Sequence, residues 1–300
     1  MRSGFVSLVG RPNVGKSTLL NRLVGEKLAI VSPRPQTTRT RITGIRNRAD
    51  AQIVFVDTPG VHPGGGRLGE LMRQTAKRAV EDVDVVGLVV DAAAKSDAIG
   101  QTLPLLLEPL RTYRGPVFCL LNKADLVRPR ARMLPVIARA REAYPFQEIL
   151  PTSAVDGTNC DRLVDLIVDV LPEHPPYFPL DVTTDQPETF YIAEVVREKI
   201  FQFTHEEVPY ASAVQVPDVT ERASPPCLVM RATVFVEHAS QRGILIGRGG
   251  AMLKRIGTAA RRELEAFFGI KVYLELVVQV RHNWRTDERA LRELGFLLTS

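Results

Sequence analysis

Cysteine, tryptophan and aromatic residues are scarce in this chain of 300 residues, which holds three Cys, one Trp and 6% aromatic residues in all. Cys119, Cys160 and Cys227 are scattered, with the spacing of neither a metal site nor a disulfide framework. A stapled secreted fold is thereby excluded, and Cys119, inside an apolar run, is expected in a buried strand. No apolar stretch approaches the roughly 20 residues of a membrane span. Met1-Arg2-Ser3-Gly4 leads almost directly into an apolar strand, without a signal peptide. The expectation is a cytoplasmic, reduced protein. What the chain does have is ordinary globular material, 45% hydrophobic and 24% charged, over a length beyond what one core usually serves. Two domains are expected: residues 1–172 and 188–300, joined by a proline-stiffened linker at 173–187 that is long enough to let them reorient.

In the first half, Gly10-Arg-Pro-Asn-Val-Gly15-Lys16-Ser17-Thr18 fits the phosphate-loop pattern G-x-x-x-x-G-K-[ST]. It stands between an apolar strand, Phe5–Val9, and a segment apolar at helical spacing, Leu19–Val24. In such a loop, backbone N–H groups at Gly10, Asn13, Val14, Gly15 and Thr18 turn toward phosphates, and the helix start adds its positive end. Lys16 would reach the β- and γ-phosphates, and Ser17 would hold Mg²⁺. Asp57-Thr58-Pro59-Gly60 ends the strand Ala51–Val56. Asp57 would back the metal, and the Gly60 N–H would approach the γ-phosphate. The loop Ser32–Arg39 between them offers Thr37 and Thr38, either of which can complete the magnesium shell only while the γ-phosphate is present, an order–disorder switch.

The base is read elsewhere. Asn122-Lys123-Ala124-Asp125 follows the apolar strand Pro116–Leu121, at the strand end where open α/β sheets bind ligands. A carboxylate at Asp125 accepts from guanine N1–H and its exocyclic amine, which adenine cannot match. Asn122 would position the loop and the Lys123 stem would cover the ring. Backbone N–H groups at Ser153 and Ala154, after the strand Glu148–Leu150, can meet guanine O6. Helices near 68–81, 98–110, 130–143 and 159–171 alternate with these strands. The pattern predicts a doubly wound, mostly parallel sheet with every motif at one edge.

The second half predicts a helix at 188–203, strands near 211–217 and 228–236, and a short helix leading into Gly247-Arg248-Gly249-Gly250. A longer helix at 251–268 and a strand at 271–280 follow. G-x-x-G in this α-β-β-α-α-β order is the type II KH arrangement, an α+β fold whose loop clamps a nucleic-acid backbone. Lys254 and Arg255 follow the loop.

These segments, GRPNVGKSTLLNRL, PRPQTTRTRITGI, DTPG, NKAD, TSA and the closing HNWRTDERALRELGF, resemble the Era family of bacterial ribosome-assembly GTPases over nearly the whole chain. The resemblance implies hydrolysis of GTP to GDP with Mg²⁺. It favours Thr38 over Thr37 as the switch threonine and makes Lys16, Thr38 and Gly60 the catalytic set. It further implies binding of the 3′ end of small-subunit ribosomal RNA and of the 30S subunit by a monomer, and is compatible with peripheral association at the inner face of the membrane. Asn13 resembles the loop asparagine that helps seat potassium in related GTPases, a role that stays open beside a structural one. The position after D-x-x-G, where related enzymes carry a water-orienting Gln, is Val61, with His62 next. Slow intrinsic hydrolysis is expected.

Net charge alone does not reveal an RNA-binding half. Residues 1–172 carry 24 Lys/Arg against 17 Asp/Glu, and residues 186–300 carry 15 against 14. Locally, 242–262 holds six basic residues and no acid, a stripe suited to phosphate backbone. Residues 2–48 hold ten basic residues against Glu26, and the excess around Arg34, Arg39 and Arg41 suits ribosomal RNA. Two other classes stay open: a regulatory GTPase whose second domain meets a protein or membrane, and an ATP-dependent RNA remodeller, which Asp125 disfavours.

Overall fold

The structure, a computed structural model, describes residues 1–32, 34–35, 37–60, 66–94, 103–104 and 106–296. The described residues fall into two compact units, one built from 1–63 and 72–185, the other from 64–71 and 186–300.

In the first unit five strands run parallel: β1 (Arg2–Gly10), β3 (Ala51–Asp57), β4 (Val85–Asp91), β5 (Val117–Asn122) and β6 (Glu148–Pro151). β2 (Ile42–Asn47) is antiparallel to β3, and the sheet order is β2-β3-β1-β4-β5-β6. β3 and β5 are buried along their whole length, as near-continuous apolar runs must be when helices cover both faces. The described helices are α1 (Lys16–Val24), α2 (Gly66–Glu81, whose residues 66–71 count with the second unit), α3 (Leu134–Ala143) and α4 (Cys160–Val170). α1 turns Leu19, Leu20 and Leu23 inward and stops at Gly25, which adopts a left-handed conformation. The doubly wound, mostly parallel sheet expected from the sequence is present.

The boundaries differ where local chemistry intervenes. The helix expected at 130–143 is a 3-10 turn, Arg130–Met133, before α3 begins. Pro135, one residue into α3, has no N–H to continue a preceding ladder and is preorganised for a first turn. The helix expected at 98–110 lies partly outside the described residues, which show helical turns at 103–104 and 106–107 and a 3-10 turn at Glu108–Leu110. β2 was not expected at all.

Residues 173–184 are fastened to the first unit. The Gln52 side chain accepts from the Tyr177 and Phe178 N–H groups and donates to the Phe178 carbonyl. Ile45 N–H donates to Thr183 O at 2.7 Å, Asn47 to Val182 O and the Thr184 hydroxyl to Thr43 O. The segment thus covers the free edge of β2, which would otherwise present unpaired backbone groups.

The second unit carries α5 (Glu188–Phe203), α6 (Val208–Ala211), β7 (Ala213–Gln215), β8 (Val219–Ala223), β9 (Pro226–Val236), α7 (Ala239–Ile246), α8 (Ala251–Phe268), β10 (Val272–Val280) and α9 (Glu288–Glu293). β9 pairs parallel with β10 and antiparallel with β7 and β8. α5 and α8 pack on this sheet through Ile192, Val196, Ile200, Ile256, Ala260 and Leu264. The order matches the expected type II KH arrangement, with α6 and β8 in addition. The closing segment is anchored by Trp284, fully buried, whose Nε1–H donates to Ala211 O at 2.9 Å. Leu71, Ala213, Ala290 and Leu291 complete that cluster.

Candidate nucleotide site and nucleic-acid interface

Parallel register brings the carboxyl ends of the central strands into line. Leu8 stands opposite Asp57, Gly10 opposite Val89, Asp91 opposite Asn122 and Leu121 opposite Pro151. The motif residues of the first unit lie at this edge, on the loops that leave it or at the start of α1.

At the phosphate end, Lys16 is buried and its Nζ donates to the carbonyls of Gly10 and Arg11, both at 3.1 Å. An ammonium has three donors, so one stays for a ligand. Burial pushes the Lys16 pKa down, opposed by the charge of Asp57. Burial pushes Asp57 up, opposed by Lys16 and then by hydrogen bonds from Ser17 and Thr38. Ser17 Oγ lies 2.6 Å from Asp57 Oδ2 and 2.8 Å from Thr38 Oγ1, and the Thr38 hydroxyl is 3.3 Å from the same carboxylate oxygen. Asp57 Oδ1 is buried and has no hydrogen-bond partner among the described residues. Two hydroxyls and one carboxylate are a sparse oxygen set, the kind that suits Mg²⁺ shared with phosphates and waters. Thr37 instead turns its hydroxyl to Arg34 O at 2.8 Å, so of the two threonines Thr38 is the one brought to the site.

Asn13, Gly15, Ser17, Thr18, Thr38 and Gly60 line one cleft. Gly60 is obligatory by contact, because a Cβ there would stand 2.7 Å from the Pro12 nitrogen. Val14 contributes through its carbonyl, which accepts from Asn122 Nδ2 at 2.8 Å. Val61 and His62 lie outside the described residues.

At the base end, Asn122 Oδ1 accepts from Ala154 N–H at 3.1 Å, so one side chain ties the phosphate loop to the 153–154 turn. Asp125 Oδ1 is buried without a partner among the described residues. Lys123 holds a left-handed backbone (φ 64) and its Nζ is 2.6 Å from Asp91 Oδ2, a contact that orients the side chain. Ser153 N–H donates to Thr158 O at 3.1 Å. Both N–H groups proposed for O6 therefore already have protein acceptors, and a ligand there would share them.

Asp91 and Arg22 are members of this site that the sequence did not point to. Arg22, on α1, donates Nε–H to Ala154 O at 3.1 Å and a terminal N–H to Val155 O. The helix that begins at the phosphates thus ends on the base loop. Arg22→Met should speed GDP release about 5- to 10-fold, since two charge-assisted hydrogen bonds are lost, one half-buried and one exposed. Stopped-flow release of a fluorescent GDP checks this, and an unchanged rate would mean the loop holds itself.

In the second unit, Gly247, Arg248, Gly249 and Gly250 form a turn between α7 and α8, with the three glycines at φ 71, 58 and 80. Arg248 and Lys254 are exposed, as is Ile244 beside them. Arg255 is exposed as well, and it has a protein partner. Its guanidinium lies over the Phe203 ring, 4.2 Å from the centroid, a cation–π contact that binds α8 to α5.

A phosphate loop, a guanine-type base pocket and a separate G-x-x-G module define a two-domain P-loop GTPase with a KH domain. The family models agree: "50S ribosome-binding GTPase" matches residues 5–123 and "KH domain" matches residues 207–285. The chain is 50% identical to the GTPase Era of Geobacter metallireducens over 98% of both chains, and 48% identical to that of Geotalea uraniireducens over the same shares. Two solved structures superpose with a TM-score of 0.91 at 40% identity over 99% of this chain and 100% of theirs. One is an Aquifex aeolicus Era variant bound to GDP·AlF4⁻, the other an Era with MgGDPNP and nucleotides 1506–1542 of 16S ribosomal RNA. The chain belongs to the Era family of GTPases.

Proposed function

We propose that this protein is a GTP-driven switch that grips the 3′ end of small-subunit ribosomal RNA with its KH domain, assists 30S assembly and leaves after hydrolysis. That role places it with ribosomes in the cytoplasm, acting as a monomer. The observation that carries the nucleotide half is the pair of buried, partnerless carboxylate oxygens, Asp57 Oδ1 and Asp125 Oδ1. Leaving such acceptors unmatched costs free energy; a water carried by Mg²⁺ would satisfy the first and guanine the second. The RNA half is supported by the Era complex with 16S ribosomal RNA and by the glycine turn.

In this reading Gly10, Asn13, Val14, Gly15, Lys16, Ser17 and Thr18 hold the phosphates. Ser17 and Thr38 ligate Mg²⁺ with Asp57 behind them. Asn122, Lys123, Asp125, Ser153 and Ala154 hold the base. Magnesium, when bound, neutralises charge that develops on the phosphates. Lys16 and the Gly60 N–H stabilise the same charge as the γ-phosphate leaves, and Thr38 is released with it, which converts hydrolysis into loop movement. Gly247, Arg248, Gly249, Gly250 and Lys254 meet RNA backbone, whereas Arg255 acts from its perch on Phe203.

Affinity for a short RNA from the 3′ end, measured with a GTP analogue and with GDP, tests the coupling. At least about tenfold tighter binding in the GTP state is expected, a coupling near 1.4 kcal/mol. Equal affinities would remove the switch. Asn13, exposed with φ 64 on the cleft, is placed to help seat a monovalent cation. Hydrolysis should therefore run several-fold faster in potassium than in sodium buffer, and equal rates would discard the cation.

A further inference from the structure

Asn21 stands one turn after Ser17 on α1 and shares its face of the helix. Its amide oxygen accepts from the Leu28 and Ala29 N–H groups at 2.9 and 2.8 Å, and its Nδ2 donates to Ala29 O at 2.7 Å. Both lone pairs of that oxygen are thereby used. The Asn21 carbonyl accepts from Gly25 N–H at 2.9 Å, so one residue closes α1 and holds the chain that follows it.

The held stretch belongs to no helix or strand. Ala29 is fully buried, and Leu28 and Ile30 are nearly so. Buried backbone groups outside regular structure need other partners, and the Asn21 side chain supplies them for both the N–H and the carbonyl of Ala29. Leu28 fits beside β2 where Gly44 lacks a side chain, since a Cβ there would lie 3.3 Å from Leu28 Cδ1. Burial breaks off at Val31, which is 41% exposed, and Ile30, Val31 and Ser32 line the nucleotide cleft. One face of α1 therefore meets the loop at two places. Asn21 fixes its start through three bonds to main chain, and Ser17 meets Thr38 through a hydroxyl contact of 2.8 Å.

We propose that Asn21 is a positioning residue for Thr38: it fixes where the switch loop starts, so that only the part beyond Ile30 has to be ordered when the γ-phosphate and Mg²⁺ arrive. The inference rests on the reading of Thr38 as a magnesium ligand given above. Preorganising one end of a loop reduces the ordering cost that opposes binding. GDP does not call on Thr38, so the benefit falls on GTP alone. Asn21 thus biases the site toward the triphosphate by acting through the loop.

The experiment compares the full-length protein with Asn21→Ala, Thr38→Ala and the double variant. Each is titrated with a fluorescent GDP and with a fluorescent, non-hydrolysable GTP analogue over a range of Mg²⁺ concentrations. Asn21→Ala should lower the ratio of analogue to GDP affinity about tenfold while GDP affinity stays within about twofold. The Mg²⁺ needed for half-maximal analogue binding should rise by a similar factor. In the Thr38→Ala background the same substitution should change the ratio no further, because the two residues act as one unit. Asn21→Asp keeps the shape and both acceptors but loses the donor to Ala29 O. Its loss should be intermediate, and it carries the comparison where the alanine variant does not hold GDP. An unchanged ratio, equal losses of GDP and analogue affinity, or the same loss in both backgrounds would overturn the proposal. If Thr38→Ala itself leaves the ratio unchanged, the magnesium reading of Thr38 falls and the proposal with it. A Thr38 effect without an Asn21 effect removes the proposal alone.

Discussion

Asp125→Asn should lower affinity for GTP by a factor on the order of 10⁴ and raise affinity for xanthosine triphosphate. Guanine offers two donors on one edge, N1–H and the exocyclic amine, and a carboxylate accepts both. Asparagine keeps one acceptor and turns a second N–H toward the amine, so two donors face each other in a buried place. Xanthine replaces that amine with a carbonyl and restores the match. The partnerless Asp125 Oδ1 makes the effect large, since a buried acceptor must find its donor on the ligand. Competition of GTP, xanthosine triphosphate and ATP against a fluorescent guanine nucleotide measures it. A variant that still preferred GTP would show that the base is chosen elsewhere, at O6 or by the ring-covering Lys123.

The site is divided between groups that read chemistry and groups that hold those readers in place. In the proposed reading Lys16, Ser17, Thr38, Asp57 and Asp125 present charge or lone pairs to the nucleotide and its metal. Asn122, Arg22 and Asp91 present theirs to the protein. Asn122 joins the phosphate loop to Ala154 through both ends of its amide. Arg22 reaches the same loop from the far end of α1, and Asp91 steadies Lys123. Phosphate and base are thereby held at a fixed separation, and loosening either end should be felt as faster release of the whole nucleotide.

The readers were legible in the sequence because each sits in a short contiguous motif after a run of buried strand residues. The holders were not. Asp91 is a lone acid at a strand end, and only the register that sets it beside Asn122 gives it a partner. Arg22 looks like a solvent-facing helix residue until a loop 132 positions later is folded against it. β2 escaped notice because Gly44 interrupts its apolar pattern and reads as a turn. In the fold that glycine admits α1, since a Cβ there would stand 2.7 Å from Val24. The prolines of 173–187 read as a linker that lets the domains reorient, and nothing local in them showed that the segment would bond to the β2 edge. Arg255 belonged to a convincing basic stripe, and nothing in that stripe reveals Phe203 as its partner. In each case the missing information is a long-range contact, which local pattern does not encode.

Gly249→Asp should weaken binding of a short single-stranded RNA by a factor on the order of 10² while nucleotide affinity stays unchanged. Position 249 is the right glycine for the purpose. At Gly247 a Cβ would meet the Met252 Cβ at 2.8 Å and its backbone nitrogen at 2.9 Å, so a substitution would disturb the start of α8 as well as the surface. At Gly249 a Cβ meets nothing within 4 Å, and the backbone (φ 58, ψ 24) is a left-handed conformation that Asp and Asn tolerate at a cost of about 1 kcal/mol. An aspartate there sets a negative charge against incoming phosphates, and such like-charge juxtaposition costs several kcal/mol. Gly249→Asn is the matched control, because it imposes the same backbone strain and similar bulk without charge. It should lose no more than a few-fold. Titration of labelled RNA with both variants, alongside GDP binding, separates the cases. Equal losses would trace the effect to backbone strain or bulk, and no loss in either would remove the glycine turn from the RNA interface.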